Sequence, residues 1–381
     1  MNLLILSCNT GEGHNSAARA ITQYAVGQGS SCETKNALSY WPAGTDKIIC
    51  GGMVFLYKKM PGLYGTGYRI SATSSVQKGN QNQARIRKGK KPVLGLPLTG
   101  LVSCGKLYQD LCNGHYDAVI CVHILASLMM TEIRKKHPEN CPPFYFVETD
   151  YTCHCGINTS DADAIFIPSS RLQDDFASYH VDRKRLVATG IPVAEAFYEH
   201  TDPIEAKRQL GLPEDRRMVL LMCGSMGCGP MEQIVRTVTK SLAEDTVLVA
   251  VCGRNEELLQ TLQKDTPANL FPVGFTKQIP LYMDAAEMII TKAGGLSSTE
   301  AGTKHLPIVF INAIPGQETK NRDFFAANGC ARYCDSAADL SSVVTDLLEN
   351  PEKLQKMREN LKQRFRHRSA EEIYDYIAQH R

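Results

Sequence analysis

The stretch LLILSCNTGEGHNSAARA, residues 3–20, joins an apolar run to a glycine turn and then to a segment rich in alanine. The run at 3–7 is typical of a buried strand, and the residues from about 15 onward have the spacing of a helix. The apolar face of that helix comprises Ala17, Ile21 and Ala25. A strand, a glycine turn and a helix begin many parallel α/β domains. His14 stands at the mouth of this helix, so the turn carries a titratable ring as well as glycines.

Short apolar runs alternate with amphipathic segments in both halves of the chain. The further predicted strands are 117–122, 143–150, 164–169, 186–197, 218–224, 246–253, 287–291 and 307–312. The run at 218–224 is followed by a second glycine turn and a helix with an apolar stripe. The stripe consists of Met231, Ile234, Val235, Val238 and Leu242. Strands that alternate with helices form parallel sheets covered on both faces, which predicts two Rossmann-like, doubly wound domains.

The polar segment YEHTDPIEAK, residues 198–207, is the predicted boundary between these domains. We expect an N-terminal domain over residues 1–200 and a C-terminal domain over 201–365. A final helix over 366–381 is expected to pack back on the N-terminal domain.

The composition is that of a soluble globular protein, and no apolar run approaches the roughly 20 residues needed to cross a bilayer. The N-terminus lacks the features of a signal peptide, so we expect a cytoplasmic protein. The 14 cysteines lie mostly in apolar runs and are interpreted as reduced core residues. Cys153, His154 and Cys155, with Cys141 upstream, have spacing that does not suit a structural zinc, and no metal site is expected.

Charge is distributed unevenly along the chain. Residues 47–109 contain eleven Lys and Arg and no Asp or Glu, and apolar and aromatic side chains are interleaved with the cations. This combination suits an anionic membrane surface, where each cation contributes about 1 kcal/mol. The densest part supplies the expected membrane and acceptor contacts: Arg85, Arg87, Lys88, Lys90 and Lys91. A nucleic acid and a plain solvated face are the alternatives for such a patch; we favour the membrane and expect no nucleic-acid partner.

Three loops that follow strands of the second half could bind a nucleotide sugar. They are the glycine turn at 224–229, the segment TKAGGLSSTEA at 291–301 and the segment AIPGQETKNRDFF at 313–325. Glycine turns and helix N-termini offer backbone N–H groups to phosphates, and ligands of parallel sheets bind at the carboxyl ends of strands. Glu300, expected in the first turn of its helix, is placed to accept from a ribose diol. Plain strand-to-helix corners and a helix-start acid are the alternative interpretations.

Residues 274–321, GFTKQIPLYMDAAEMIITKAGGLSSTEAGTKHLPIVFINAIPGQETKN, resemble the donor-binding half of the processive diacylglycerol glucosyltransferases and plant-type monogalactosyldiacylglycerol synthases. These are related to the glycosyltransferase that builds the peptidoglycan lipid intermediate. Further matches are TGEGH, TDY…H at 149–154, MCGSMGCG and TGIPV…F at 189–197, so the resemblance covers nearly the whole chain. It implies a GT-B fold with two domains facing a cleft, a UDP-hexose donor on the second domain and a membrane lipid acceptor on the first.

The resemblance also implies the site residues. Those around the pyrophosphate would be Gly224, Ser225, Gly227, Gly294, Gly295, Ser297 and Ser298. Glu300 would hold the ribose and Phe275 would lie by the uracil. Gln317 and Glu318 would meet the sugar hydroxyls, with Asn321 supporting their loop.

His14 would be the base that takes the proton of the attacking hydroxyl in an inverting transfer, and Asp150 is the competing base. A histidine with a pKa near 6.5, kept neutral by the helix dipole, suits that task. The implied product is a β-linked glycolipid, with diacylglycerol as the expected acceptor. The implied enzyme needs no cofactor and no metal, and it is peripheral on the inner face of the cell membrane.

Other functions stay open on the residues alone. The glycines at 11 and 13, followed by Ser16 and by Glu33 about twenty residues on, imitate the fingerprint of an NAD(P)-dependent oxidoreductase, although the third glycine is absent. A UDP-sugar epimerase would use the same fold. A non-catalytic protein that binds membranes or nucleic acid, built on a decayed transferase, is a further alternative.

Overall fold

The computed structural model describes residues 1–9, 11–42, 104–224, 231–264, 266–311 and 313–381. They form two compact units: unit 1 consists of residues 1–194 and 367–381, and unit 2 consists of residues 195–366. Several of the site residues proposed from sequence lie outside the described residues: Arg85, Arg87, Lys88, Lys90, Lys91, Ser225 and Gly227.

Strands and helices alternate along the described chain. The strands are β1 Asn2–Ser7, β2 Ser31–Asn36, β3 Ala118–Cys121, β4 Phe144–Val147, β5 Ala164–Ile167, β6 Leu186–Ala188, β7 Arg217–Met222, β8 Thr246–Gly253, β9 Leu270–Gly274, β10 Met288–Thr291, β11 Ile308–Ile311 and β12 Ala331–Cys334. The helices are α1 Glu12–Gly27, α2 Gly105–Gly114, α3 Ile124–Lys136, α4 Gln173–Ser178, α5 Pro203–Leu210, α6 Met231–Ser241, α7 Glu256–Lys264, α8 Ile279–Ala285, α9 Gly295–Thr303, α10 Gln317–Ala327, α11 Ala337–Glu349, α12 Pro351–Arg364 and α13 Ser369–His380.

Unit 1 contains a six-stranded parallel sheet in the order β2-β1-β3-β4-β5-β6. Strand β1 pairs with β2 on one side and β3 on the other, and the apolar run at its centre is fully buried, as expected for an inner parallel strand. Helix α1 starts at Glu12, three residues before the predicted start, and the predicted apolar face is buried. The core on this side of the sheet also includes Ile373 and Ile377 of α13.

Unit 2 contains a second six-stranded parallel sheet in the order β12-β11-β10-β7-β8-β9. The apolar stripe of α6 packs in its core as predicted: Met231, Ile234, Val235 and Val238 are buried, and Leu242 is partly buried against them. Strands β11, β10 and β7 are neighbours, so the loops that follow them leave one edge side by side. The predicted fold class, two doubly wound parallel-sheet domains, is confirmed.

Three strands have no counterpart among the apolar runs of the sequence: β2, β9 and β12. Each of them lies at an edge of its sheet. None of the helices within the described ranges combines the length and the apolar character needed to cross a bilayer.

Candidate active site

The carboxyl ends of three neighbouring strands, β1, β3 and β4, bring polar side chains together in unit 1. Each side chain comes shortly after its strand, either in a loop or in the first turn of a helix. This edge of a parallel sheet is where ligands bind. We call this group the histidine cluster, and it consists of His14, His123, Glu148, Thr149, Asp150 and His154.

The ring of His14, the third residue of α1, is held by two hydrogen bonds at one nitrogen. Its Nδ1 lies 2.8 Å from the carbonyl oxygen of Val122 and 3.0 Å from Oγ1 of Thr149. Because a carbonyl oxygen only accepts, Nδ1 carries the hydrogen and donates it to Val122. In the neutral ring this leaves the lone pair on Nε2, which is therefore the basic atom.

Burial sets the protonation state of His14. Loss of solvent lowers the pKa of His14 to about 4, although the charge of Asp150 acts in the opposite direction and raises it. The positive charge of His154 lowers the pKa further. The ring is thus neutral at pH 7, as expected from sequence, but the main cause is burial instead of the dipole of α1.

His123 caps α3 and packs against His14. Its Nδ1 accepts a hydrogen bond from the backbone N–H of Leu125 at 3.1 Å, which puts the hydrogen of the neutral ring on Nε2. The two histidine rings meet edge to face, with centroids 4.8 Å apart and planes at 83°. Burial lowers the pKa of His123 well below its usual value. A second neutral ring therefore restricts the orientation of His14.

Glu148 is the buried acid of the cluster. Its carboxylate is shielded from solvent and accepts from the backbone N–H groups of Thr149 at 3.0 Å and Asp150 at 3.2 Å. Its Oε1 also lies 2.7 Å from Nδ1 of His154. Burial opposes a charged His154, but the Glu148 carboxylate overrides this effect and raises the pKa of His154 to about 9. A cationic histidine and the neutral His14 therefore share one cluster.

Within the described ranges, one group of three side chains has the spacing of a metal site. Ligand atoms of Glu148, Asp150 and His154 lie within 4.8 Å of one another. The group includes no cysteine, and the buried thiol of Cys153 donates to the backbone carbonyl of His154 at 3.7 Å. Within this group, Oε1 of Glu148 and Nδ1 of His154 are joined by a hydrogen bond of 2.7 Å.

In unit 2, the turn after β10 leads through two glycines into α9. Gly294 is the N-cap in an extended conformation, and the helix begins at Gly295. The backbone N–H groups of its first turn have no acceptor within the helix and suit an anion. Ser297 is half-buried at this turn. Ser298, by contrast, is fully buried, and its hydroxyl donates to the Gly294 carbonyl at 2.7 Å, inside the helix.

Glu300 is half-buried and is the sixth residue of α9, so it stands in the second turn of the helix and not in the first as predicted. The charge of a helix N-terminus acts mainly on the first turn. A role as a helix-start acid therefore does not account for this carboxylate.

Glu318, the second residue of α10, organises the loop after β11. Its Oε1 lies 3.1 Å from the ammonium of Lys292, and its Oε2 accepts from the backbone N–H of Ile314 at 3.1 Å. Asn321 is fully buried, and its Nδ2 donates to the carbonyl of Ala293 at 2.9 Å. These contacts join the start of α10 to the turn after β10.

The remaining residues proposed from sequence stand near this edge. Gly224 follows β7 with a φ of +73°, and an added Cβ would lie 3.3 Å from Cε of Lys292. Gln317 is the half-buried first residue of α10. Phe275 follows β9; its ring is 56% exposed, and the guanidinium of Arg254 lies over it at 5.1 Å from the centroid. An exposed aromatic face of this kind can stack on a base.

The structure therefore brings the proposed residues into two groups, one at each sheet. His14 and Asp150 share the histidine cluster of unit 1. In unit 2, Glu318 pairs with the ammonium of Lys292, Gly294 donates its N–H to the Lys292 carbonyl, and Gly224 lies next to the Lys292 side chain. Asn321 binds the carbonyl of the neighbouring Ala293, and Gly295 begins α9. The sequence interpretation missed Glu148, Thr149 and Lys292. Their signal was present, because Glu148 and Lys292 come directly after apolar strands and Thr149 follows Glu148.

Two protein-family models match the chain. The glycosyltransferase family 28 C-terminal domain matches residues 218–373, and the monogalactosyldiacylglycerol (MGDG) synthase model matches residues 102–193. Among curated proteins, the processive diacylglycerol beta-glucosyltransferase of Staphylococcus epidermidis is 28% identical over 56% of this chain and 56% of its own length. The matched part thus spans little more than half of that relative. The protein of the same name from Bacillus pumilus is 24% identical over 99% of this chain and 94% of its own length.

Solved structures share the fold. The chain superposes on MurG of Acinetobacter baumannii with a TM-score of 0.63 and 17% identity, over 99% of both chains. It superposes on the complex of Staphylococcus aureus MnaA with UDP with a TM-score of 0.62 and 13% identity, over 99% of this chain and 95% of the other. The fold is therefore the GT-B fold.

Proposed function

We propose that this chain, which is a relative of the processive diacylglycerol β-glucosyltransferases and the monogalactosyldiacylglycerol synthases, transfers a hexose from a UDP-sugar to a membrane lipid. Diacylglycerol is the proposed acceptor, and the product is a β-linked glycolipid. The observation that best supports the proposal is the state of His14. The ring is neutral, one of its nitrogens is committed to a carbonyl, and the other carries a lone pair, which is the arrangement that a general base needs.

The proposed reaction is a single displacement with inversion. The acceptor hydroxyl attacks the anomeric carbon, and the bond from that carbon to the β-phosphate oxygen of UDP breaks. The hydroxyl proton passes to Nε2 of His14, and the electron pair of the broken bond leaves with UDP. Asp150 is proposed to stabilise the imidazolium that forms, since its charge raises the pKa of His14. Thr149 and Val122 hold the ring during the transfer.

The donor is proposed to bind at the carboxyl edge of the second sheet. Gly224, Gly294 and Gly295 allow backbone N–H groups to approach the diphosphate, together with Ser297 and with Ser225 and Gly227 from the turn at 224–229. Glu300 would accept from the ribose, Phe275 would stack on uracil, and Gln317 would contact the sugar. No metal or cofactor is invoked for this chemistry.

The enzyme is proposed to be peripheral on the inner face of the cell membrane. The basic segment 47–109 supports this assignment, because its cations are mixed with apolar residues. We propose an anionic membrane surface as its partner and no nucleic acid.

The oxidoreductase alternative loses support from the position of Glu33. In a dinucleotide site the acidic residue accepts from the ribose at the end of the second strand. Glu33 is instead the third residue of β2, where it accepts from the hydroxyl of Tyr116 and lies 3.0 Å from the ammonium of Lys35. Its carboxylate is thus part of a structural network.

The test is UDP release by the purified protein with diacylglycerol in anionic vesicles, with each UDP-sugar supplied in turn. We expect lipid-dependent turnover with one sugar, and its loss in the His14→Ala and Glu300→Ala variants. UDP binding without turnover on diacylglycerol would point to another acceptor. If the protein failed to bind UDP, the transferase proposal would be wrong.

A further inference from the structure

Lys292 lies where the loops after three neighbouring strands of unit 2 meet. It follows β10 directly, and its ammonium pairs at 3.1 Å with Glu318, in the first turn of α10. Its aliphatic chain passes over Gly224 at the end of β7, because a Cβ added there would lie 3.3 Å from Cε of Lys292. The side chain retains 26% exposure, so the ammonium stands at the edge of the sheet and not in its core.

The ion pair does not account for Lys292 as a structural residue. Glu318 is anchored by the backbone N–H of Ile314 at 3.1 Å as well as by the lysine. The side chain of Glu318 is 11% exposed and that of Lys292 is 26% exposed, so the carboxylate keeps its hydrogen bond from Ile314 when the more exposed lysine turns toward a ligand. The β10 turn is tied to α10 by a separate hydrogen bond, from Asn321 to the carbonyl of Ala293.

The position of Lys292 also opposes the usual charge preference of helices. It precedes the N-cap of α9, Gly294, by two residues. A helix N-terminus carries partial positive charge and favours an anion, whereas a cation beside it is unfavourable. The backbone N–H groups in the first turn of α9 and the ammonium of Lys292, which lies in the turn before that helix, both favour a negatively charged ligand at this edge of the sheet.

We propose that Lys292 binds the diphosphate of the nucleotide donor, with Glu318 as the residue that positions the lysine before the donor arrives. This inference rests on the function proposed above. The ammonium donates to a phosphate oxygen in the complex and stabilises the charge that develops there as UDP leaves. Glu318, which the sequence placed at the sugar, then acts through the lysine.

The experiment compares the affinities of UDP and uridine, measured by calorimetry, for the wild type and four variants. Lys292→Met is expected to weaken UDP binding about ten- to a hundredfold, as for one lost charge-assisted hydrogen bond, and to leave uridine binding unchanged. Lys292→Arg keeps the charge and should retain most of the UDP affinity. Glu318→Gln keeps a side-chain oxygen that can hold the ammonium in position and removes only the charge that competes with the phosphate, so it should bind UDP at least as tightly as the wild type. Lys353→Met is the matched control. It deletes a lysine of α12 that pairs with Asp346 of α11, outside the loops of the proposed donor site.

The outcomes separate the two proposals. If Lys292→Met and Glu318→Gln weaken UDP and uridine binding equally, the ion pair is structural and the role of Lys292 is wrong. The same holds if Lys292→Met binds UDP like the wild type. Unchanged uridine binding also serves as the check that the variant is folded. A wild type that binds neither ligand overturns the transferase proposal, and the role of Lys292 with it.

Discussion

The carboxyl edges of the two sheets carry different kinds of polar groups. In unit 1, burial and Glu148 move the pKa values of His14 and His154 in opposite directions, to about 4 and about 9. In unit 2, the corresponding loops offer backbone N–H groups, an amide and the ion pair between Lys292 and Glu318. Two sheets of the same topology class therefore carry different chemistry.

This difference suggests that unit 1 supplies the proton acceptor and that unit 2 binds the donor. A proton acceptor must have a protonation state that its surroundings control, and the half-buried, hydrogen-bonded ring of His14 meets that condition. A phosphate site needs donors that keep their positions and charge at any physiological pH, which backbone amides and a lysine supply. Variants of unit 1 should therefore alter turnover, whereas variants of unit 2 should alter affinity for the donor.

The largest expected effect is that of His14→Asn. Loss of the base should lower kcat by about 10²- to 10⁴-fold, the usual contribution of a general base, and leave the Kd for UDP unchanged. Steady-state rates and calorimetry on the same protein check both values. A comparable loss of UDP affinity would break the division between the units.

Glu300→Gln is expected to have the next largest effect. It should weaken UDP binding and leave kcat unchanged, whereas His14→Asn should do the reverse. Replacing the carboxylate by an amide weakens a charge-assisted hydrogen bond to the ribose, which should weaken UDP binding about ten- to a hundredfold. The contrast with 2′-deoxy-UDP sharpens the test, because the variant should lose its discrimination between the two nucleotides. If kcat at saturating donor fell as strongly as affinity, Glu300 would have a role in the chemical step.

The pH dependence of kcat/KM should report the unusual state of His14. Burial lowers the pKa of His14 to about 4, so the base is neutral above that value, and the rate should be flat from pH 8 to pH 5.5. It should fall only as the pH drops through about 4. A base with the ordinary pKa of 6.5 would already have lost about thirtyfold at pH 5. Samples held at pH 5 and assayed at pH 7 control for unfolding.

Phe275→Ala is expected to have the smallest effect. In the proposed complex the exposed ring stacks on one face of uracil, and such contacts contribute about 0.5–1.5 kcal/mol, so UDP affinity should fall about two- to tenfold with no change in kcat. Phe275→Tyr should bind UDP like the wild type. An unchanged affinity in the alanine variant would remove Phe275 from the donor site.

The central strands of both sheets could be predicted from sequence, and three edge strands could not. Inner parallel strands are buried on both faces and are continuously apolar, as in β1 and β7. Strand β2, with the sequence SCETKN, is largely exposed, and β9 contains a proline, which edge strands tolerate. A strand at the edge of a sheet is held by hydrogen bonds to one neighbour and is partly exposed. Its side chains therefore need not follow an apolar pattern.

Candidate site residues could be proposed from the sequence, but their partners could not. His14, Asp150 and Glu318 were proposed because the motifs that contain them resemble those of a known family. The pairing of Glu148 with His154, and of Glu318 with Lys292, depends on how side chains from different loops meet in three dimensions. For the same reason, the sequence could not indicate that the hydroxyl of Ser298 is used inside its own helix.

The return of α13 to unit 1 has a consequence for the order of folding during synthesis. Residues 195–366 are contiguous, so unit 2 can be complete as soon as they have left the ribosome. The core of unit 1, by contrast, includes Ile373 and Ile377, which are made after all of unit 2. Each buried isoleucine contributes about 1.5–3 kcal/mol, a sizeable part of the stability of a domain. The first unit to be synthesised is therefore the last to reach its full stability, and a nascent chain that stops before Ile373 leaves unit 1 with an open core.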